Sequence, residues 1–75
     1  MSESNGPEPY EKLHSDGSPW SRGFMLDGEM HGEWTWFRLD GTTMRSGAFD
    51  RGRQVGVWTT YDRSGAPHKE TRFPD

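Results

Sequence analysis

The chain has no cysteine and no isoleucine. Without cysteine, neither a disulfide nor a thiolate-bound metal can staple the fold. Hydrophobic residues make up 28% of the 75 positions, against about 45–50% in ordinary globular chains. No apolar run reaches 7 residues. That excludes a transmembrane helix and a signal-peptide core, so the expected compartment is the cytoplasm. Charge of one sign is also lacking. The net charge is −3 from interspersed acids and bases, which predicts neither a nucleic-acid groove nor a polybasic membrane patch. The length allows a single domain, and a domain this short buries only about 60% of its unfolded surface.

What the chain does have is aromatics and glycine. Aromatic residues reach 13%, with four Trp, and there are 10 Gly. Each buried ring removes about 150–250 Å² from water, so a thin aromatic core is affordable where an aliphatic one is not. Glycine at this density disfavours long helices and favours turns. The two classes recur together. "GEMHGEWTWF" (28–37) and "GRQVGVWTTY" (52–61) share Gly-x-x-x-Gly-x-Trp-x-x-aromatic at a step of 24 residues. The same step joins Gly17 to Gly41 and Gly65, Gly23 to Gly47, Thr35 to Thr59, and Met25 to Phe49 and Phe73. Aligning 17–40 with 41–64 leaves 6 identical positions. They fall on Gly, Trp and Thr, which points to a structural repeat rather than a linker.

Each unit reads as a β-hairpin. Segments rich in Trp, Thr, Phe, Tyr and Val predict strands near 10–14, 19–26, 33–39, 43–50, 56–62 and 67–73. "SDGS" (15–18), "LDGT" (39–42) and "RSGA" (63–66) are expected to be the tight turns, and 27–32 and 50–56 the looser ones. Short connections make sequential strands antiparallel neighbours. The expected fold is therefore all-β, an elongated single sheet formed as a meander of about three stacked hairpins. It spans residues 10–75, after a flexible tail over 1–9. One hairpin cannot bury its own rings, so the unit is copied until neighbours cover each other. The expected ladders are Tyr10, Trp34 and Trp58 in one row and Leu13, Phe37 and Tyr61 in another.

This pattern resembles the MORN repeat, in the variant form found in bacterial proteins. Its carriers are Gly32, Trp34, Phe37 and Gly41, then Gly47, Phe49, Gly52, Gly56, Trp58, Tyr61 and Gly65. The likeness covers about residues 13–73 and departs at Trp20 and Phe24, where charged or small residues are usual. It implies a non-catalytic binding or scaffolding sheet. Some bacterial members of the variant group resemble antitoxins or immunity proteins that neutralise a partner toxin.

The residues point to no catalytic group, metal site or cofactor. His14, His31 and His68 do not share a repeat position, and nothing in their spacing converges on one ion. Asp16, Asp27, Asp40 and Asp50 fall at turns, where Asp caps chain reversals. The glycines match neither a P-loop nor a dinucleotide fingerprint. A protein partner, a second copy, or both are expected instead, because Trp is enriched at interface hot spots and open sheet edges invite pairing. A nucleic-acid partner is not expected, and a scaffold that self-assembles or binds a membrane surface is the alternative. Trp34 and Trp58 are expected to hold the sheet together. Trp20 and Trp36, which lack repeat-matched aromatics, are expected to meet the partner, with Arg51 and Arg53 at its rim.

Overall fold

The computed structural model describes residues 6–74. Six strands, β1 (Glu8–Leu13), β2 (Pro19–Leu26), β3 (Glu29–Phe37), β4 (Thr43–Asp50), β5 (Arg53–Tyr61) and β6 (Pro67–Phe73), form one sheet in chain order. Every neighbouring pair is antiparallel. The expected all-β meander is therefore what the structure shows, and no helix occurs among the described residues. Of the expected tail over 1–9, residues 1–5 lie outside the described residues, and Glu8 and Pro9 already belong to β1.

The turns sort the other way from the sequence expectation. Asp27-Gly28 and Arg51-Gly52 are the two-residue turns, with φ of 53° and 83° in the first and 51° and 88° in the second. Two consecutive left-handed residues match the right-handed twist of the flanking strands, so these hairpins close at once. The "SDGS"-type turns are wider. In each, the residue before the loop exchanges backbone hydrogen bonds across it, as His14 does with Gly17 and Ser18. Arg38 and Asp62 repeat that pattern. Each wide turn needs only one left-handed residue, a glycine. An Asp carboxylate accepts from the backbone N–H two residues on: Asp16 from Ser18, Asp40 from Thr42, Asp62 from Ser64.

The second glycine of Gly-x-x-x-Gly lies not in a turn but inside a strand. Between the pairs Arg22↔Thr35 and Phe24↔His31, Gly23 alone faces Gly32, Glu33 and Trp34. One repeat later Gly47 alone faces Gly56, Val57 and Trp58. Gly32 and Gly56 adopt φ of 82° and 74°, a conformation costly for other residues. The surplus lets the chain bulge, and the Trp two residues on lies flat across the facing glycine. A Cβ added to Gly23 would fall inside the Trp34 indole, and one added to Gly47 inside that of Trp58. The indole N–H groups then donate to Phe24 O at 3.0 Å and Ala48 O at 3.1 Å. One stretch of sequence thus encodes the tight turn, the bulge and the ring seat.

The sheet is a single layer, 45 × 34 × 13 Å. Lateral coverage, not a second layer, buries the rings. Trp34, Trp36 and Trp58 are 2%, 7% and 5% exposed. Centroid separations run 5.7 Å from Tyr10 to Trp34, 5.9 Å to Trp36 and 5.4 Å to Trp58. Phe49 meets Trp58 edge-on at 5.1 Å, and Phe73 does so at 6.1 Å from the other side. Tilted and edge-on pairs of this kind each add about 0.5–1.5 kcal/mol beyond area burial. The Tyr10–Trp34–Trp58 row forms as expected, but Trp36 bridges its last two members.

Candidate functional site

Strand pairing assigns every strand residue outside the bulges to one of two faces, because cross-strand partners share a side. One face, here the tryptophan face, carries the ring stack with Met25, Met30, Phe49 and Phe73 packed on it. Trp20 and Met44 join it, since a surplus residue in the strand starts of β2 and β4 turns them to the same side. The other face carries Phe37 and Tyr61. This resolves the sides of Trp58 and Tyr61, which a regular strand also places apart. The Tyr61 hydroxyl is 3.2 Å from Ser46 Oγ, and the Arg22 guanidinium lies 5.5 Å from the Phe37 ring centroid. Phe37, Phe24, Arg22, Glu11, Pro9 and Glu33 are among the walls of an open groove of about 590 Å³ on that face.

Charge divides between the faces. On the tryptophan face the strands place Lys12, Arg45 and Lys69, with Glu8 the one carboxylate among the described residues. The opposite face carries Glu11, Glu29, Glu33, Asp50 and Glu70 against Arg22, Arg53 and Arg72. Two of those arginines are engaged in ion pairs: Arg22 with Glu11 at 2.8 Å and Arg53 with Asp50 at 3.5 Å. Lys12, Arg45 and Lys69 form no ion pair among the described residues. Arg45 and Lys12 are held over rings instead. Arg45 stands 4.6 Å above Trp36 and 5.4 Å above Trp58, and Lys12 stands 5.3 Å above Trp20.

The four residues expected to meet a partner do not converge. Trp36 is inside the stack, between Trp34 and Trp58, because its strand partner Arg45 lies over it and closes its outer side. Trp20 lies at the margin of the same face, beside Lys12 and a shallow depression lined by Tyr10, Met25, Met30 and Trp36. Arg51 is in a two-residue turn, with its N–H donating to His31 Nδ1 at 3.1 Å and its guanidinium 3.6 Å from Asp27. Arg53 belongs to the opposite face. Sequence reasoning missed Lys12, Arg45 and Lys69 as a set. Alternation counted from Trp34 would have placed Arg45 only if the partner strand's register were known.

The sheet edges bear on how another chain could attach. β6 has Thr71 at the repeat position of Gly23 and Gly47. Its Cβ fills the place where a further indole would lie. β1 has Tyr10 at the position of Trp34 and Trp58, and Pro9, which offers no N–H to a neighbouring strand. Both edge strands are also the most charged in the sheet, a common guard against edge pairing.

The wide turns line one end of the sheet and are tied to each other. His14 Nε2–H donates to Phe37 O at 3.1 Å, and one repeat later the Arg38 guanidinium donates to Tyr61 O at 2.6 Å. Hydrogen bonds from the Ser18 hydroxyl and N–H hold the Asp16 carboxyl below the usual range. Thr42 does the same for Asp40, and Ser64 with Ala66 for Asp62. These carboxylates are committed to closing turns. Among the described residues, no group of three or more His, Cys, Asp or Glu is placed to hold a metal ion. No helix among the described residues is long and apolar enough to cross a membrane. The chain matches no family model, no curated protein and no solved structure.

Proposed function

We propose that the chain is a non-catalytic protein-binding module, a MORN-like repeat that works in the cytoplasm by presenting a sheet face to a partner. The observation that carries this reading is the single layer. A sheet 45 × 34 Å across and 13 Å thick leaves both faces available, and stable interfaces need only about 800 Å² per partner. Above its buried stack the tryptophan face leaves Trp20, Met25, Met30 and Met44 half-buried and Arg45 exposed, the residue types of interface cores. Thr71, Tyr10 and Pro9 break the repeat at its ends, which favours attachment through a face over growth by edge pairing.

Within this class, the resemblance stated above supports the narrower role of an antitoxin or immunity protein. The test is reconstitution. The full chain, tagged, is used to identify a partner in its own host, and the two purified proteins are then mixed. A one-to-one complex stable in gel filtration is expected, with growth rescue on co-expression if the partner is toxic. A chain that forms only large assemblies of itself, or binds no purified candidate at micromolar concentration, would overturn the reading.

A further inference from the structure

We propose that the tryptophan face is the docking surface and that it takes a carboxylate-rich segment of a partner protein. The inference rests on the protein-binding reading and deepens it. Three observations carry it. First, the chain as a whole is acidic, at −3, yet this face holds three cations against one carboxylate, and the other face holds the reverse imbalance. Second, the three cations of the tryptophan face have no ion-pair partner among the described residues, whereas two of the opposite face's three arginines, Arg22 and Arg53, each have one. Third, Arg45 and Lys12 are fixed above rings. A guanidinium seated on two indoles is preorganised, and its N–H fork remains free for a carboxylate.

The three cations lie in one row across the strands, through the pairs Lys12↔Ser21, Ser21↔Trp36, Trp36↔Arg45, Arg45↔Thr60 and Thr60↔Lys69. At about 4.8 Å per strand, Lys12 and Arg45 are roughly 14 Å apart and Arg45 and Lys69 roughly 10 Å. An acidic segment laid across the strands with carboxylates at those intervals meets all three. Trp20 and Met44 flank that row, and Met25 and Met30 lie farther along the same face, so the methionines' flexible thioethers can conform to an apolar partner surface. Bases of a single-stranded nucleic acid would need open ring faces to stack on. Here Trp34, Trp36 and Trp58 are 2%, 7% and 5% exposed, so the chemistry on offer favours carboxylates with apolar neighbours.

The experiment uses the full chain and a fluorescein-labelled amphipathic peptide of about 20 residues, Glu and Leu on one face, read by fluorescence anisotropy. Saturable binding is expected at low salt. It should weaken at least about tenfold when Glu is replaced by Gln in the peptide, and fall as salt rises. The triple variant Lys12→Gln, Arg45→Gln, Lys69→Gln should lose about tenfold or more. The matched opposite-face variant Arg22→Gln, Arg53→Gln, Arg72→Gln should bind like the unmodified chain. Circular dichroism checks that each variant is folded; if the triple variant is not, Lys12→Gln with Lys69→Gln serves, since neither residue covers the central stack. Equal losses in the two sets of variants, or no preference for Glu over Gln, would overturn the proposal. So would tighter binding of oligo(dT) or phosphatidylserine vesicles than of the peptide. If a reconstituted partner binds the tryptophan-face variant unchanged, this inference fails while the protein-binding reading stands.

Discussion

Replacing Gly47 with Ala separates two physical effects that have opposite signs. Gly47 is not in the left-handed region, so alanine can adopt its backbone conformation. On backbone grounds alone the change stabilises by about 0.4–1 kcal/mol, because the unfolded chain loses freedom. The tertiary structure reverses the sign. The new Cβ falls inside the Trp58 indole, so the ring must lift. Trp58 is 5% exposed. Returning half of an indole's roughly 200 Å² to water costs about 2.5 kcal/mol at 25 cal/mol/Å². Weakening the hydrogen bonds from Nε1 to Ala48 O and Val55 O adds about 1 kcal/mol. The net expectation is a loss of about 3 kcal/mol, or a melting temperature lower by about 12–24 °C in a domain of this size. Urea unfolding followed by far-UV circular dichroism and Trp emission measures it, and Gly23→Ala should behave alike through Trp34. A midpoint unchanged or raised in either variant would refute the ring-on-glycine account of the core.

Trp36→Ala should cost about 3–5 kcal/mol, as much as Trp34→Ala. A cost under 1 kcal/mol in thermal melts would return Trp36 to the role of a free contact residue. Acid should loosen the wide turns. The folded-state values of Asp16, Asp40 and Asp62 are depressed. Their contribution is therefore present above the unfolded value of about 3.9 and is lost as pH falls through the lower folded values. Melting temperature between pH 5 and pH 2 should drop, less steeply in the triple Asp→Asn variant; identical slopes would contradict this. Arg51 holds φ of 51° in a two-residue turn, where Asn fits better, so Arg51→Asn should raise stability by about 0.5–1 kcal/mol in urea titrations. Glu8→Gly, Pro9→Val and Tyr10→Trp, together with Thr71→Gly, restore the repeat at both edges. Sedimentation should then detect concentration-dependent end-to-end association absent from the unmodified chain; two identical profiles would show that these residues do not guard the edges.

Much of the architecture is legible because its signals are local. Positive-φ demand, β-propensity and a 24-residue step all act within one hairpin, so strand number, order and the aromatic row follow from composition and spacing. The two kinds of turn are not separable in the sequence, because Asp-Gly occurs in both. Whether one or two residues must be left-handed depends on the register that the strands adopt, and Arg51 carries no signature of its own conformation. The second glycine of each motif reads as part of a loop until the facing strand reveals it as a bulge.

By itself, then, the chain's order of residues determined a repeated antiparallel hairpin sheet with aromatic rings in register, since turn chemistry and ring spacing are properties of neighbours along the backbone. Only the tertiary structure decided that Trp36 belongs to the core, that Gly23 and Gly47 seat indoles, and that Lys12, Arg45 and Lys69 share the tryptophan face. Those facts depend on which residue stands opposite which across strands. A shift of one residue in pairing moves every side chain to the other side, and bulges make such shifts invisible to a count along the chain.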